Sequence, residues 1–181
     1  APLLRLRFDT LLALIESEES ALLSAVDTVL SDDPDAELQW TGRTVSVKGF
    51  PTHMRSESAV HRWDIAGDDA TSWHLLAQPE LLTHAVGFIG KPLLVKGLTG
   101  AHGPFFGRVR SPGADDLLVG VERGREPRLE VTRPSGPAVI ECDPAARLLL
   151  LWGRKAQPFD RLRADVDDAT VARLQAVLAG Y

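Results

Sequence analysis

Apolar residues recur at three to four residue intervals from Leu11 through Leu12, Ile15, Leu22, Val26, Val29 and Leu30, while Glu16, Glu18 and Glu19 fall on the other side. That period predicts an amphipathic helix, with Asp9 as its N-cap and Ser31-Asp32-Asp33-Pro34-Asp35 as its stop. Leu38 to Phe50 holds Trp40, a turn at Thr41-Gly42 and alternation through Val45 and Val47, and reads as a loop. Pro51 suits the first turn of a second helix, where its missing N–H costs nothing, and Gly67 suits the left-handed position just beyond the helix end. A polar gap, Asp68 to Ser72, precedes a third helical pattern from Pro79 to Ile89 that ends at Gly90-Lys91-Pro92.

The texture changes after Pro92. Short apolar runs separated by Gly and Pro take over: Leu93–Val95, Phe105–Val109, Leu117–Val121, Leu129–Val131 and Ala138–Ile140. Spaced at about ten residues with turns between them, they predict an antiparallel meander. Asp143 or Pro144 then starts a helix that runs through Leu148 to Trp152 and stops at Gly153, and a last helix begins near Asp167. Helices first, then a sheet with helices, predict an α+β protein of two domains, residues 1–92 and 93–181, with the boundary between Gly90 and Gly103.

Composition excludes several function classes. The 20 basic residues against 25 acidic ones, a net charge of −5, are scattered, so no stripe suited to a phosphate backbone appears and nucleic acid is not an expected partner. The single cysteine, Cys142, excludes an internal disulfide and is compatible with a reducing compartment. The longest apolar runs, such as Leu148–Trp152, are too short to span a bilayer, and no secretory signal pattern opens the chain. The expectation is a cytoplasmic protein without a membrane partner. Because the chain opens at Ala1 without a methionine, an upstream portion is expected to be missing. The stretches Gly97–Gly103 and Gly120–Gly124 match neither a Walker A loop nor a dinucleotide fingerprint and read as turns, and no nucleophile elbow is present.

The one stretch that gathers chemistry is Met54–Gly67, MRSESAVHRWDIAG. Glu57, His61 and Asp64 stand at i, i+4 and i+7, which puts them on one face of the second helix. Two readings are open for Glu57 and His61: half of a metal site, or a hydrogen-bonded pair on a bundle helix. Trp63 reads as core and Arg62 as a surface charge. Arg154 is either a cation at a helix C-terminus or an anion-binding group. Cys142 reads as a small buried residue, since a reactive thiolate needs an electropositive setting and Glu141 is its neighbour.

The words Glu57-Ser58-Ala59-Val60-His61-Arg62-Trp63-Asp64 and, further on, Leu148-Leu149-Leu150-Leu151-Trp152-Gly153-Arg154 resemble the two signature stretches of the mycothiol-dependent maleylpyruvate isomerase family. The resemblance implies a DinB-like metal-binding helical bundle followed by a domain similar to sterol carrier protein 2, here with a partial bundle that lacks the first helices. It implies a divalent metal, usually zinc, held by Glu57 and His61, together with a histidine from an earlier helix that has no counterpart in this chain. A catalytic zinc commonly takes three protein ligands. His53, His74 and His84 are the remaining candidate donors, and spacing does not choose between them; Asp64 is better placed as support for a ligand or as a cap. The implied activity is an isomerase or thiol transferase in which mycothiol adds to a small anionic electrophile, with Arg154 steadying the substrate carboxylate. A second class remains open: a non-catalytic ligand-binding or dimerising protein that uses the carrier-like domain. A half-bundle would leave apolar stripes exposed, so a homodimer is expected, with the missing helices supplied by a second copy.

Overall fold

A computed structural model describes residues 7–40, 43–88, 104–122, 124–125, 127–154, 162–163 and 166–178. Among them the chain is mixed α+β, with six α-helices and two sheets. It divides into two compact units, Ala1–Pro51 and Thr52–Tyr181. This division differs from the expected 1–92 and 93–181, because the second, third and fourth helices belong with the large sheet. The expected boundary itself, the run Leu93–Val95 and the turns at 97–103 lie outside the described residues.

In the first unit, helix α1 (Phe8–Asp32) follows the predicted period, but its N-cap is Arg7 and not Asp9, which lies in the first turn where a negative charge favours the helix dipole. The expected loop at 38–50 is a hairpin, β1 (Glu37–Trp40) against β2 (Arg43–Ser46), followed by a 3-10 turn, Val47–Gly49. Each strand has only four residues, too few for alternation to stand out from a loop. Val26, Ala36 and Val47 form a small core with Leu22, Leu30 and Leu38 packed against it.

In the second unit, α2 (Phe50–Ala66) ends as expected: Gly67 has φ 78° and its N–H donates to the Trp63 carbonyl at 2.8 Å. The expected polar gap holds a short helix, α3 (Ala70–Leu76). Asp69 is its N-cap and accepts from the Ser72 N–H at 2.7 Å, so the polar residues there are a helix start. Helix α4 spans Pro79–Phe88.

The large sheet is β3 (Phe105–Arg110), β4 (Asp116–Val121), β5 (Arg128–Thr132), β6 (Ile140–Cys142) and β7 (Leu162–Arg163), in the order β5-β4-β3-β6-β7. The meander holds for β3 to β5, but β6 returns to the other side of β3 and pairs with it in parallel, Val109 opposite Ile140. Gly120 is a residue of β4 and not a turn; a Cβ there would lie 3.1 Å from the Phe106 ring.

Helix α5 (Pro144–Leu151) is capped by the Asp143 side chain on the Ala146 N–H and is buried on every side, as its leucine run dictates. It packs with α3, α4 and α6 (Asp168–Leu178). The core joins Val109, Leu117, Val119 and Ile140 of the sheet to Leu148, Leu149 and Trp152, with Leu76, Leu81, Leu174 and Val60 closing it. Among the described residues no helix is long and apolar enough to cross a membrane.

Candidate functional site

Helix α2 carries His53, Glu57, His61 and Asp64 at i, i+4, i+8 and i+11, so all four return to one face. Glu57 sits between two imidazoles: its Oε1 is 3.5 Å from Nε2 of His53 and its Oε2 is 3.2 Å from Nε2 of His61. The other nitrogen of His61, Nδ1, is 3.1 Å from Oδ2 of Asp64. His53 is buried and His61 is 59% exposed, so the row begins in the interior and ends at solvent.

The buried end is fixed by other elements. His84 of α4 brings its Nε2 to 3.3 Å from Nδ1 of His53, and the two rings tilt against each other with centroids 5.5 Å apart. Trp152, wholly buried just beyond α5, stacks on the His53 ring at 5.9 Å and 23°. Trp152 therefore does more than fill the core, a role its position in a leucine run does not disclose.

The exposed end is fixed by Arg154. Helix α5 closes with a Schellman turn: Gly153 has φ 68°, its N–H donates to the Leu150 carbonyl at 3.0 Å, and the Arg154 N–H reaches back to Leu149 at 2.8 Å. That turn launches the Arg154 side chain toward α2. Its Nε donates to Oδ1 of Asp64 at 3.2 Å, its Nη2 to Oδ2 at 2.8 Å and its Nη1 to the Trp152 carbonyl at 2.9 Å. The two-pronged hydrogen bond from Arg154 holds the Asp64 carboxyl below the usual carboxylate range; burial opposes the shift and the contact with His61 adds to it.

Of the residues singled out from sequence, Glu57, His61, Asp64 and Arg154 are thus brought into one connected row, and His53 and His84 extend it inward. His74 lies in the last turn of α3 and is exposed. Arg62 is more than a surface charge: it grips both oxygens of Asp69 at 2.7 and 2.8 Å and donates to the Ser72 hydroxyl, pinning α2 to the start of α3. Cys142 is buried in β6. The signal that could have placed His53 is its spacing, four residues before Glu57 as His61 is four after. Nothing in sequence signals the role of Trp152.

Chemically, the row offers one carboxylate and two imidazole nitrogens aimed at it. A carboxylate only accepts, so the contact with Asp64 calls for the proton of His61 on Nδ1. By the same rule Nε2 hydrogen-bonds Glu57 only when it too carries a proton, as in an imidazolium. One carboxylate with imidazoles is a donor set suited to zinc and its neighbours in the first transition row. The donors are strung along the helix: among the described residues no group of three or more His, Cys, Asp or Glu side chains is gathered as a formed metal site would be. No protein-family model, curated protein or solved structure matches the chain.

Proposed function

We propose that the face of α2 is the site of a metal-dependent thiol-addition enzyme, a mycothiol-dependent isomerase or thiol transferase of the maleylpyruvate isomerase type acting on a small anionic electrophile. The observation that supports it best is the flanking of Glu57 by the Nε2 atoms of His53 and His61, with Asp64 behind His61. In this reading Glu57 and His61 hold the ion and His53 is the third donor. A divalent ion bound there, zinc in particular, would supply acidity to a coordinated thiol, which ionises readily at neutral pH. The chain's own part is to orient and to exclude water: Trp152 and His84 keep the inner wall rigid around His53, and the exposed edge of His61 leaves the outer side open to a thiol and an electrophile.

The likeness of the helices to part of a DinB-like bundle and of the sheet to a carrier-like fold belongs to the same proposal. So does a homodimer, which is supported by α1, where Phe8, Leu12, Ile15, Leu23 and Val29 are exposed and Val26 is the buried residue.

The test is elemental analysis after purification in zinc, with mycothiol consumption measured in the presence of an unsaturated dicarboxylate. Stoichiometric zinc, lost in Glu57→Gln and in His61→Ala, and zinc-dependent consumption of the thiol are expected. A protein that retains no zinc would refute the metal site, and a zinc protein that leaves the thiol untouched would refute the reaction.

A further inference from the structure

Helix α1 holds six acids, Asp9, Glu16, Glu18, Glu19, Asp27 and Asp32, and no lysine, arginine or histidine, so this one helix is more acidic than the net −5 of the whole chain. The glutamates do not fall on the side opposite the apolar residues, contrary to expectation. Glu19 is four residues after Ile15 and three before Leu22, which puts it inside the apolar stripe. Glu16 follows Leu12 by four and Glu18 precedes Leu22 by four, so they line the two edges of the stripe, and Asp9 and Asp27 continue the Glu16 edge. The side opposite is uncharged: Ser17, Ser20, Ser24, Thr28 and Ser31 occupy it, and the hydroxyls of Ser20, Thr28 and Ser31 donate to carbonyls of their own helix. A helix whose charges serve only to solvate it carries them there, opposite the apolar stripe.

The stripe is open over most of its length. The small core of the first unit buries Val26 and half-buries Leu22 and Leu30, but Phe8 is 77% exposed, Ile15 is 55% exposed, and Leu12 and Leu23 also face solvent. All six acids are exposed, and among the described residues none of them is in an ion pair. Whatever covers the stripe must therefore meet apolar side chains and carboxylates together. A second copy meets the first but sets the glutamates of one helix against those of the other, and like charges brought together across an interface are costly. An anionic membrane surface or a nucleic acid meets the same repulsion.

We propose that the stripe on α1 docks a basic amphipathic helix of another protein, its apolar side on Phe8, Leu12, Ile15 and Leu23 and its lysines or arginines on Glu16, Glu18 and Glu19. This partner competes with the second copy proposed above for one face and displaces it, because it adds opposite charge to the same apolar burial.

The experiment uses the full chain and a fluorescent synthetic helical peptide with leucine on one face and lysine on the rest, beside a counterpart with glutamate in place of lysine. Anisotropy should show binding of the lysine peptide and none of the glutamate peptide. Glu16→Gln with Glu18→Gln and Glu19→Gln should weaken binding by about tenfold. Leu12→Ser with Ile15→Ser should weaken it by about tenfold or more. Removing as much charge elsewhere, in Glu37→Gln with Glu122→Gln and Glu130→Gln, should leave it unchanged. All these positions are exposed, and circular dichroism checks that the fold is kept. In sedimentation the complex should run as one chain with one peptide. The inference is overturned if the lysine peptide does not bind, if both peptides bind alike, or if the α1 variants bind as the wild type does. A wild-type dimer that the lysine peptide fails to open assigns α1 to the second copy, overturning the inference while the homodimer stands. A monomeric wild type that binds the lysine peptide does the reverse.

Discussion

Asp116 offers a direct test of how the large sheet is held. Its side chain is completely buried at the start of β4, and four donors converge on it. Arg110 bonds Oδ1 through Nε at 3.0 Å and Oδ2 through Nη2 at 2.8 Å, Arg108 bonds Oδ2 through Nη1 at 3.0 Å, and the Ser135 N–H reaches Oδ2 at 3.3 Å. Arg110 also donates to the Gly136 carbonyl at 2.9 Å, so the carboxylate ties β3, β4 and the segment leading into β6 together. In Asp116→Asn an amide either turns its NH2 into three of these donors or, flipped, into the Arg110 Nε; Arg108 and Arg110 lose the Asp116 charge, and Arg110 keeps only the more distant Glu141 at 3.8 Å. Breaking a buried pair from one side costs about 3–5 kcal/mol; the arginines here are 17% and 26% exposed and recover some hydration, which brings the expected loss to about 2–4 kcal/mol. For a chain of this size that is a fall in Tm of about 10 °C.

The pH dependence gives the sign. The Arg110 hydrogen bonds, chiefly, hold the folded carboxyl of Asp116 below its ordinary value. Its contribution is therefore complete above the unfolded pKa of about 3.9 and is lost as the pH falls through the lowered folded pKa. The gap in Tm between wild type and Asp116→Asn, measured by scanning calorimetry, should stay constant from neutrality down to about pH 5 and narrow below about pH 4. A variant that melts within about 2 °C of the wild type at neutral pH would refute the account, and a gap that persists undiminished into acid would assign the loss to shape and not to charge.

Two further outcomes follow from the site and from α1. His53→Ala should weaken zinc binding, read by competition with a chromophoric chelator, by about tenfold or more, while His74→Ala, on the exposed last turn of α3, should leave it unchanged; equal effects would remove His53 from the donor set. Sedimentation at micromolar concentration should give a dimer that Leu12→Glu together with Ile15→Glu dissociates, and a monomeric wild type would show that the exposed apolar side chains of α1 are not covered by a second copy.

Much of the fold was legible because most of its elements have strong periods. The three-to-four residue recurrence in α1, the proline and glycine that bracket α2, and the short apolar runs bounded by turns in β3 to β5 each follow from local geometry. What sequence misread was short or non-local. Strands of four residues carry too little alternation to be seen, and α3 was hidden because the residues that start a short helix, Asp69 and Ser72, are the same types that make a polar gap. The parallel place of β6 beside β3 depends on a return across the sheet that no neighbouring residue encodes.

The candidate site divides along the same line. That Glu57, His61 and Asp64 share a face was determined by the helical repeat alone, as was the turn at Gly153, since only glycine adopts that backbone without strain. The tertiary structure decided which partners the face receives. His84 and Trp152 close on His53 from α4 and from the end of α5, and Arg154 meets Asp64 across ninety positions of sequence. The physical reason is that spacing along a helix places side chains on a face, whereas the groups that meet that face are selected by how the apolar core packs the other elements against it.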